Sequence, residues 1–214
     1  WVCIMAISYP LALPTASGIA SVSLRAVNVV GISESPFTFK QQIVAHTGQR
    51  WEAEVSVAPM IRADAEEWVA FLVSLKGGLG TFLLGDPNAA TARGTCSLTP
   101  GTPLVNGADQ TGDSLTIDGA PNSATGYLKA GDYIQLGGGA SATLHKVLKD
   151  ASSNASGQVS LDIWPSIRTA PANDSTVVVG DCVGVFRLSS NSSDWSINTS
   201  QIYGVNFACK EAIA

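Results

Sequence analysis

A chain of 214 residues holds one large domain or two small ones, and with net charge −5 and scattered Lys and Arg it lacks the basic stripe that sequence-reading nucleic-acid proteins need. Only 14% of its residues are charged against 45% hydrophobic, where an ordinary soluble domain carries roughly 25% charged. Such a surface suits a chain whose neighbours cover much of it, although a Ser/Thr-rich extracellular β domain has a similar composition.

The opening Trp1-Val2-Cys3-Ile4-Met5-Ala6-Ile7 is apolar, but it has no basic leader and is too short to span a bilayer. Neither a signal peptide nor membrane insertion is expected, and Met5 is a candidate start. From Gly18 to Pro59 the pattern is that of strands. Val22, Leu24 and Ala26 alternate with Ser21, Ser23 and Arg25, and Ser35-Pro36 separates this strand from a second at about 37–46. Thr47-Gly48-Gln49 then reads as a turn before a third strand at 51–57, with Glu52, Glu54 and Ser56 outward.

One helix is predicted over about 63–76. Asp64 and Glu67 form a capping-box pattern, Trp68, Phe71, Leu72 and Leu75 fall at i, i+3, i+4 and i+7, and Lys76-Gly77-Gly78 supplies the stop. Those four apolar residues are expected as core anchors, because their spacing fits a buried face. A short apolar strand at 79–84 follows, closed by Gly85-Asp86-Pro87.

The composition shifts after Arg93. Between Thr95 and Cys182 four basic residues (Lys129, Lys146, Lys149, Arg168) stand against eight acidic ones, all Asp, and Asp beside Gly or Asn is turn chemistry. Short candidate strands at 114–117, 133–136, 143–148, 159–163 and 176–179 predict a small barrel or sandwich. The later candidates, at 185–188, 195–197 and 203–207, are too few for a domain of their own and are expected to return to the first sheet. The expected fold is therefore mainly β. Residues 1–94 and 183–214 would form a β-sandwich with one packed α-helix, and residues 95–182 an inserted small β-barrel, OB-like or similar.

Little in the sequence carries chemistry. His46 and His145 sit in no nucleophile motif, so no catalytic residue is assigned. Asp109-Gln110-Thr111-Gly112-Asp113 with Asp118-Gly119 offers the oxygens that calcium prefers, but its spacing fails the EF-hand pattern and reads as turns. Gly137-Gly138-Gly139 lacks the Lys-Ser/Thr and the helix of a phosphate cradle and reads as a hairpin. No cofactor or metal is expected. Cys3, Cys96, Cys182 and Cys209 contain no C-x-x-C pair and read as buried thiols. Cys96 and Cys182 nevertheless mark the two ends of the middle segment, a placement that would let them pair at its base under oxidising conditions. The sequons at Asn154, Asn173, Asn191 and Asn198 read as chance occurrences in Ser/Thr-rich loops. Tyr127, Tyr133 and Trp164 are candidates for stacking on glycans or for subunit contacts, and equally for barrel core.

Four segments in order, Tyr9-Pro10-Leu11, Gln49-Arg50-Trp51-Glu52-Ala53-Glu54-Val55, Arg62-Ala63-Asp64-Ala65-Glu66-Glu67-Trp68 and Gly80-Thr81-Phe82-Leu83-Leu84-Gly85-Asp86-Pro87, resemble tail-tip proteins of long-tailed, siphovirus-type bacteriophages. Leu128-Lys129-Ala130-Gly131-Asp132-Tyr133-Ile134-Gln135, followed by Leu161-Asp162-Ile163-Trp164-Pro165, is similar to a β-barrel module met in such proteins. The resemblance covers nearly the whole chain, and its motifs are structural. It implies a non-enzymatic distal tail protein of the virion, assembled in the host cytoplasm, whose copies form a hexameric ring. The sandwich would line a DNA channel and a second domain would project outward. Implied partners are further copies of the chain, the tail tube protein, and hub or baseplate proteins, with DNA only as passive cargo. In the family the outer domain is a C-terminal appendage, whereas here it is predicted as an insertion. A carbohydrate-binding module for host glycans, or another minor tail component such as a tube or terminator subunit, are the alternative expectations.

Overall fold

The computed structural model describes residues 7–15 and 18–213, so Cys3 and the candidate start Met5 lie outside the described residues. In chain order, β1 (Ile19–Glu34) and β2 (Gln41–Val57) are followed by α1 (Arg62–Ser74) and β3 (Phe82–Leu84). The middle segment holds β4 (Leu104–Val105), β5 (Gly112–Asp118), β6 (Tyr133–Leu136), β7 (Thr143–Val147), β8 (Val159–Ile167) and β9 (Val177–Val178). The chain ends with β10 (Gly184–Leu188), β11 (Trp195–Ile197) and β12 (Tyr203–Glu211).

Two sheets result. The first runs β1-β2-β12-β10-β3, with β11 paired to β12, and the second runs β4-β5-β8-β7-β6-β9. The last strands thus return to the first sheet, while the middle segment has a sheet of its own. That second sheet curls nearly shut: Val105 N–H donates to Ser175 O at 2.9 Å and Val177 N–H to Pro103 O at 3.0 Å, bringing the two outer strands together. The fold is mainly β with one helix and a barrel-like second sheet.

The helix packs as its spacing requires. Trp68, Phe71, Leu72 and Leu75 are all buried, and the Phe71 ring meets Phe82 edge-on at 5.5 Å while Phe82 meets Phe207 of β12 at 5.9 Å. Burial of each such side chain contributes about 1.5–3 kcal/mol. The capping box is corrected. Ile61 is the N-cap and makes no side-chain cap bond, because the motif needs a polar acceptor where an isoleucine stands, and Asp64 lies inside the first turn, where its charge suits the free amide end. At the other end Lys76 and Gly77 take positive φ of 52° and 68°, and a Cβ on Gly77 would come within 2.8 Å of the Asn191 backbone.

The turn expected at Thr47-Gly48-Gln49 is absent. Strand β2 runs straight through it, and the reversal lies earlier, between Glu34 and Gln41. Pairing passes from Asn28↔Gln49 to Val30↔Ala45, so three residues, His46 to Gly48, oppose Val29 alone in a wide bulge. Gly48 suits the site, because an added Cβ would stand 2.7 Å from the Val29 side chain and one of the two would have to shift.

The barrel is anchored where the chain enters and leaves it. The buried Asp132 carboxylate accepts the backbone N–H groups of Arg93 (2.8 Å), Gly94 (3.1 Å) and Lys129 (2.8 Å). On the exit side Val183 N–H donates to the Gln135 side chain at 2.9 Å. Thr91 and Gly180 form a bridge, and Asp181 N–H donates to Ala90 O at 2.7 Å, so the two crossing segments pair with each other. These bonds explain the Gly131-Asp132-Tyr133-Ile134-Gln135 motif as a structural clasp.

Candidate interaction surface

The strongest surface feature is the outer half of hairpin β1–β2. Alternation puts Val22, Leu24 and Ala26 on one face of β1, opposite Trp51, Ala53 and Val55 of β2, and this face meets the core. Two further steps out, the same alternation carries Val30 and Ile32 onto that face, opposite Ala45 and Ile43. The core stops at Asn28 and Gln49, but the apolar stripe does not. Ile32 is 63% exposed, Ile43 60%, and the tip residues Phe37 and Phe39 are 91% and 74% exposed. Val29, Val30 and Val44 are also open to solvent. In water such a strip is a liability that natural sheets avoid by placing charge on it, and here only Glu34 and Lys40 do so.

The base of the hairpin is held rigidly by the barrel. The Trp51 indole N–H donates to Leu144 O at 2.9 Å, and the ring sits edge-on to Trp164, centroids 4.6 Å apart. Trp164 in turn donates to the Asn28 side chain at 2.8 Å. Ser166 N–H donates to Gln49 Oε1 at 2.7 Å, and Arg168 donates to Gln49 O at 2.6 Å. Arg168 also forks onto Glu211, with N–O distances of 2.7 and 3.0 Å, while the same carboxylate accepts the Trp51 backbone N–H at 3.0 Å. A bidentate pair with one buried partner fixes geometry in two directions.

Beside this network lies a cleft of about 410 Å³ between the barrel and the first sheet. Its apolar wall is built from Leu136, Ala142, Pro171, Val185 and Ile213, and His145, Ser166, Arg168 and Glu211 supply the polar part. His145 Nδ1 lies 2.7 Å from Pro165 O, which can only accept, so that nitrogen carries the hydrogen and Nε2 accepts from Thr143 Oγ1 at 3.0 Å. Burial lowers the His145 pKa from its ordinary 6.5, outweighing the Pro165 carbonyl and Glu211, which raise it. Ser166 is engaged by Gln49 and Asp113 instead of the imidazole. Among the described residues no cluster of three His, Cys, Asp or Glu is placed to hold a metal ion, and no helix is long and apolar enough to cross a membrane.

No family model matches the chain, and no curated protein matches its sequence.

The candidate glycan contacts are corrected by burial. Tyr127 is fully buried in the barrel with its hydroxyl donating to Pro100 O at 2.6 Å, and Tyr133 is buried in the junction, so neither offers a face for stacking. Trp164 is half-buried with both its edge and its N–H engaged. Aromatics in regularly spaced short strands have the same signature whether they point in or out, and here they point in. Cys96 and Cys182 are free buried thiols, Cys96 packing in the barrel core and Cys182 in the first core. Burial raises their pKa to about 11 and about 12, and that of Cys209 to about 12. Asp109 and Gly112 take positive φ in a turn organised by Gln110, whose side chain bonds the backbone of Asn106, Gly107 and Thr116. The four sequon asparagines each accept a backbone N–H with their side chains: Asn154 and Asn198 from two residues on, as turn residues do, and Asn173 and Asn191 from the distant Gly107 and Gly78. Gly137 to Gly139 connect β6 to β7, the expected hairpin. Sequence reasoning missed the hairpin stripe and the Arg168–Glu211 pair; the uncharged run from Val27 to Ser33 was the available signal for the first.

Proposed function

We propose that this chain is a structural subunit of a bacteriophage tail tip, a distal tail protein whose copies close into a ring joining the tail tube to the hub and leaving a channel for DNA. The observation that carries this reading is the uncovered apolar stripe on hairpin β1–β2, in a chain with only 14% charged residues. An arm of this kind is stable in water only when another surface covers it, and a subunit in a ring has two neighbours to provide that surface. The bonds from Trp51, Asn28 and Gln49 at the hairpin base to the barrel support a joint that holds the arm in a fixed direction. The barrel, projecting beside it, is the docking surface for tip proteins or fibres.

DNA passes the ring without being gripped. The middle segment has eight Asp against four basic residues, and nothing in the sequence gathers Lys and Arg into a stripe. The glycan-binding alternative is weakened, because two of its three aromatic platforms are inside the protein. Electron microscopy of intact virions tests the proposal. Density for this polypeptide in a ring at the tail end is the expected result, and a map that accounts for the whole tail end without it overturns the reading.

A further inference from the structure

We propose that the tip of hairpin β1–β2 docks into the cleft between barrel and sheet of a second copy of this chain, with Phe37 and Phe39 as the inserted side chains, a contact that rests on the ring reading above. Phe37 and Phe39 are 91% and 74% exposed at the end of a paired arm. The cleft is open, mostly apolar and about 410 Å³ in volume. An apolar cavity of about 150 Å³ already accepts a benzene ring, so two phenyl groups fit. Ala140, Ala142, Ala170 and Ala172 on its walls are small side chains that leave that room.

The occupant cannot be the arm of the same molecule. Gln49, at the base of the arm, touches Arg168 and Ser166 beside the cleft. Measured on β1, Asn28 to Glu34 spans about 20 Å at the usual rise, and beyond the bulge at His46 to Gly48 the five pairs from Val30↔Ala45 to Glu34↔Gln41 carry the tip outward. Folding the tip back would break that ladder. A second copy offers the same cleft to the arm. The seven exposed apolar residues of the arm present roughly 800 Å² of surface over both faces, of which the inserted Phe37 and Phe39 supply roughly 350 Å². Arm and cleft are different surfaces, so a head-to-tail contact repeated about one rotation axis closes a ring, whereas two copies exchanging arms reciprocally would stop at a dimer.

The test uses the full chain with benzoyl-phenylalanine in place of Phe37, irradiated at the highest concentration that stays in solution, with cross-links mapped by mass spectrometry. Cross-links from one copy to residues 166–172 or 211–213 of another are expected. Association with cross-links mapped elsewhere overturns the docking and leaves the ring reading intact. A chain that stays monomeric also overturns it, since every molecule carries both halves of the contact; the ring reading then depends on the virion map alone. A second arm compares wild type with Phe37→Asp/Phe39→Asp, substitutions at exposed positions. Circular dichroism and thermal midpoint should be unchanged, with association weakened by roughly 30-fold or more, as loss of central aromatic anchors does. Unchanged association of that variant sinks the proposal.

Discussion

Trp51 and Trp164 meet edge to face, ring centroids 4.6 Å apart, and this contact fastens the barrel to the sheet that carries the exposed arm. Trp51 also lies 6.1 Å from Tyr133 and donates to Leu144 O, so one side chain touches three separate strands. Trp51→Ala should therefore cost about 3–5 kcal/mol, measured by urea unfolding. Trp164→Ala, at a half-buried position, should cost less. A loss below about 1 kcal/mol for Trp51→Ala would show that the junction does not hold the two parts together.

The Arg168–Glu211 pair gives a sharper test. The Glu211 side chain is 6% exposed and that of Arg168 29%, so removing the guanidinium strands a buried carboxylate. Arg168→Met should cost about 3 kcal/mol, and adding Glu211→Leu should recover part of that loss, because replacing both partners by apolar groups removes the uncompensated charge. A double variant less stable than Arg168→Met contradicts this account.

His145 makes stability depend on pH. Its folded pKa lies below the ordinary 6.5 because burial disfavours the imidazolium. Above about pH 6.5 neither state binds the proton and the contribution is complete. As pH falls below that value the unfolded chain takes up a proton that the folded chain refuses, so stability declines toward the folded pKa. Urea midpoints measured from neutral pH down to about pH 5 should fall, and His145→Gln should flatten that slope. An equal slope in the variant would assign the effect to other groups.

The buried thiols should be inert. With pKa values raised to about 11, 12 and 12, Cys96, Cys182 and Cys209 carry almost no thiolate at neutral pH. Of the four cysteines, an aromatic disulfide reagent should label at most one in the folded chain and all four in denaturant. Rapid native labelling of two or more would show that a core opens.

Strand and helix identity was legible wherever one face is buried. The alternation of Trp51, Ala53, Val55 and Val57 and the spacing of Trp68, Phe71, Leu72 and Leu75 report burial directly, and all eight residues are buried. The same signal fails for Ile32 and Ile43, because alternation marks an apolar face without saying whether anything covers it. Gly48 read as a turn residue since a bulge and a turn both favour glycine, here for the room it leaves beside Val29, and only the partner strand distinguishes them. The junction was invisible for a different reason. Asn28 and Trp164 are 136 residues apart in sequence and Trp51 and Glu211 are 160 apart, so no local pattern connects them.

The bridge between Thr91 and Gly180 has an evolutionary consequence. Where outgoing and returning chain run side by side, length can change in the loops at the far end of the barrel without moving the scaffold, whereas Tyr133, Leu144 and Trp164, which pack on the first core, must be kept.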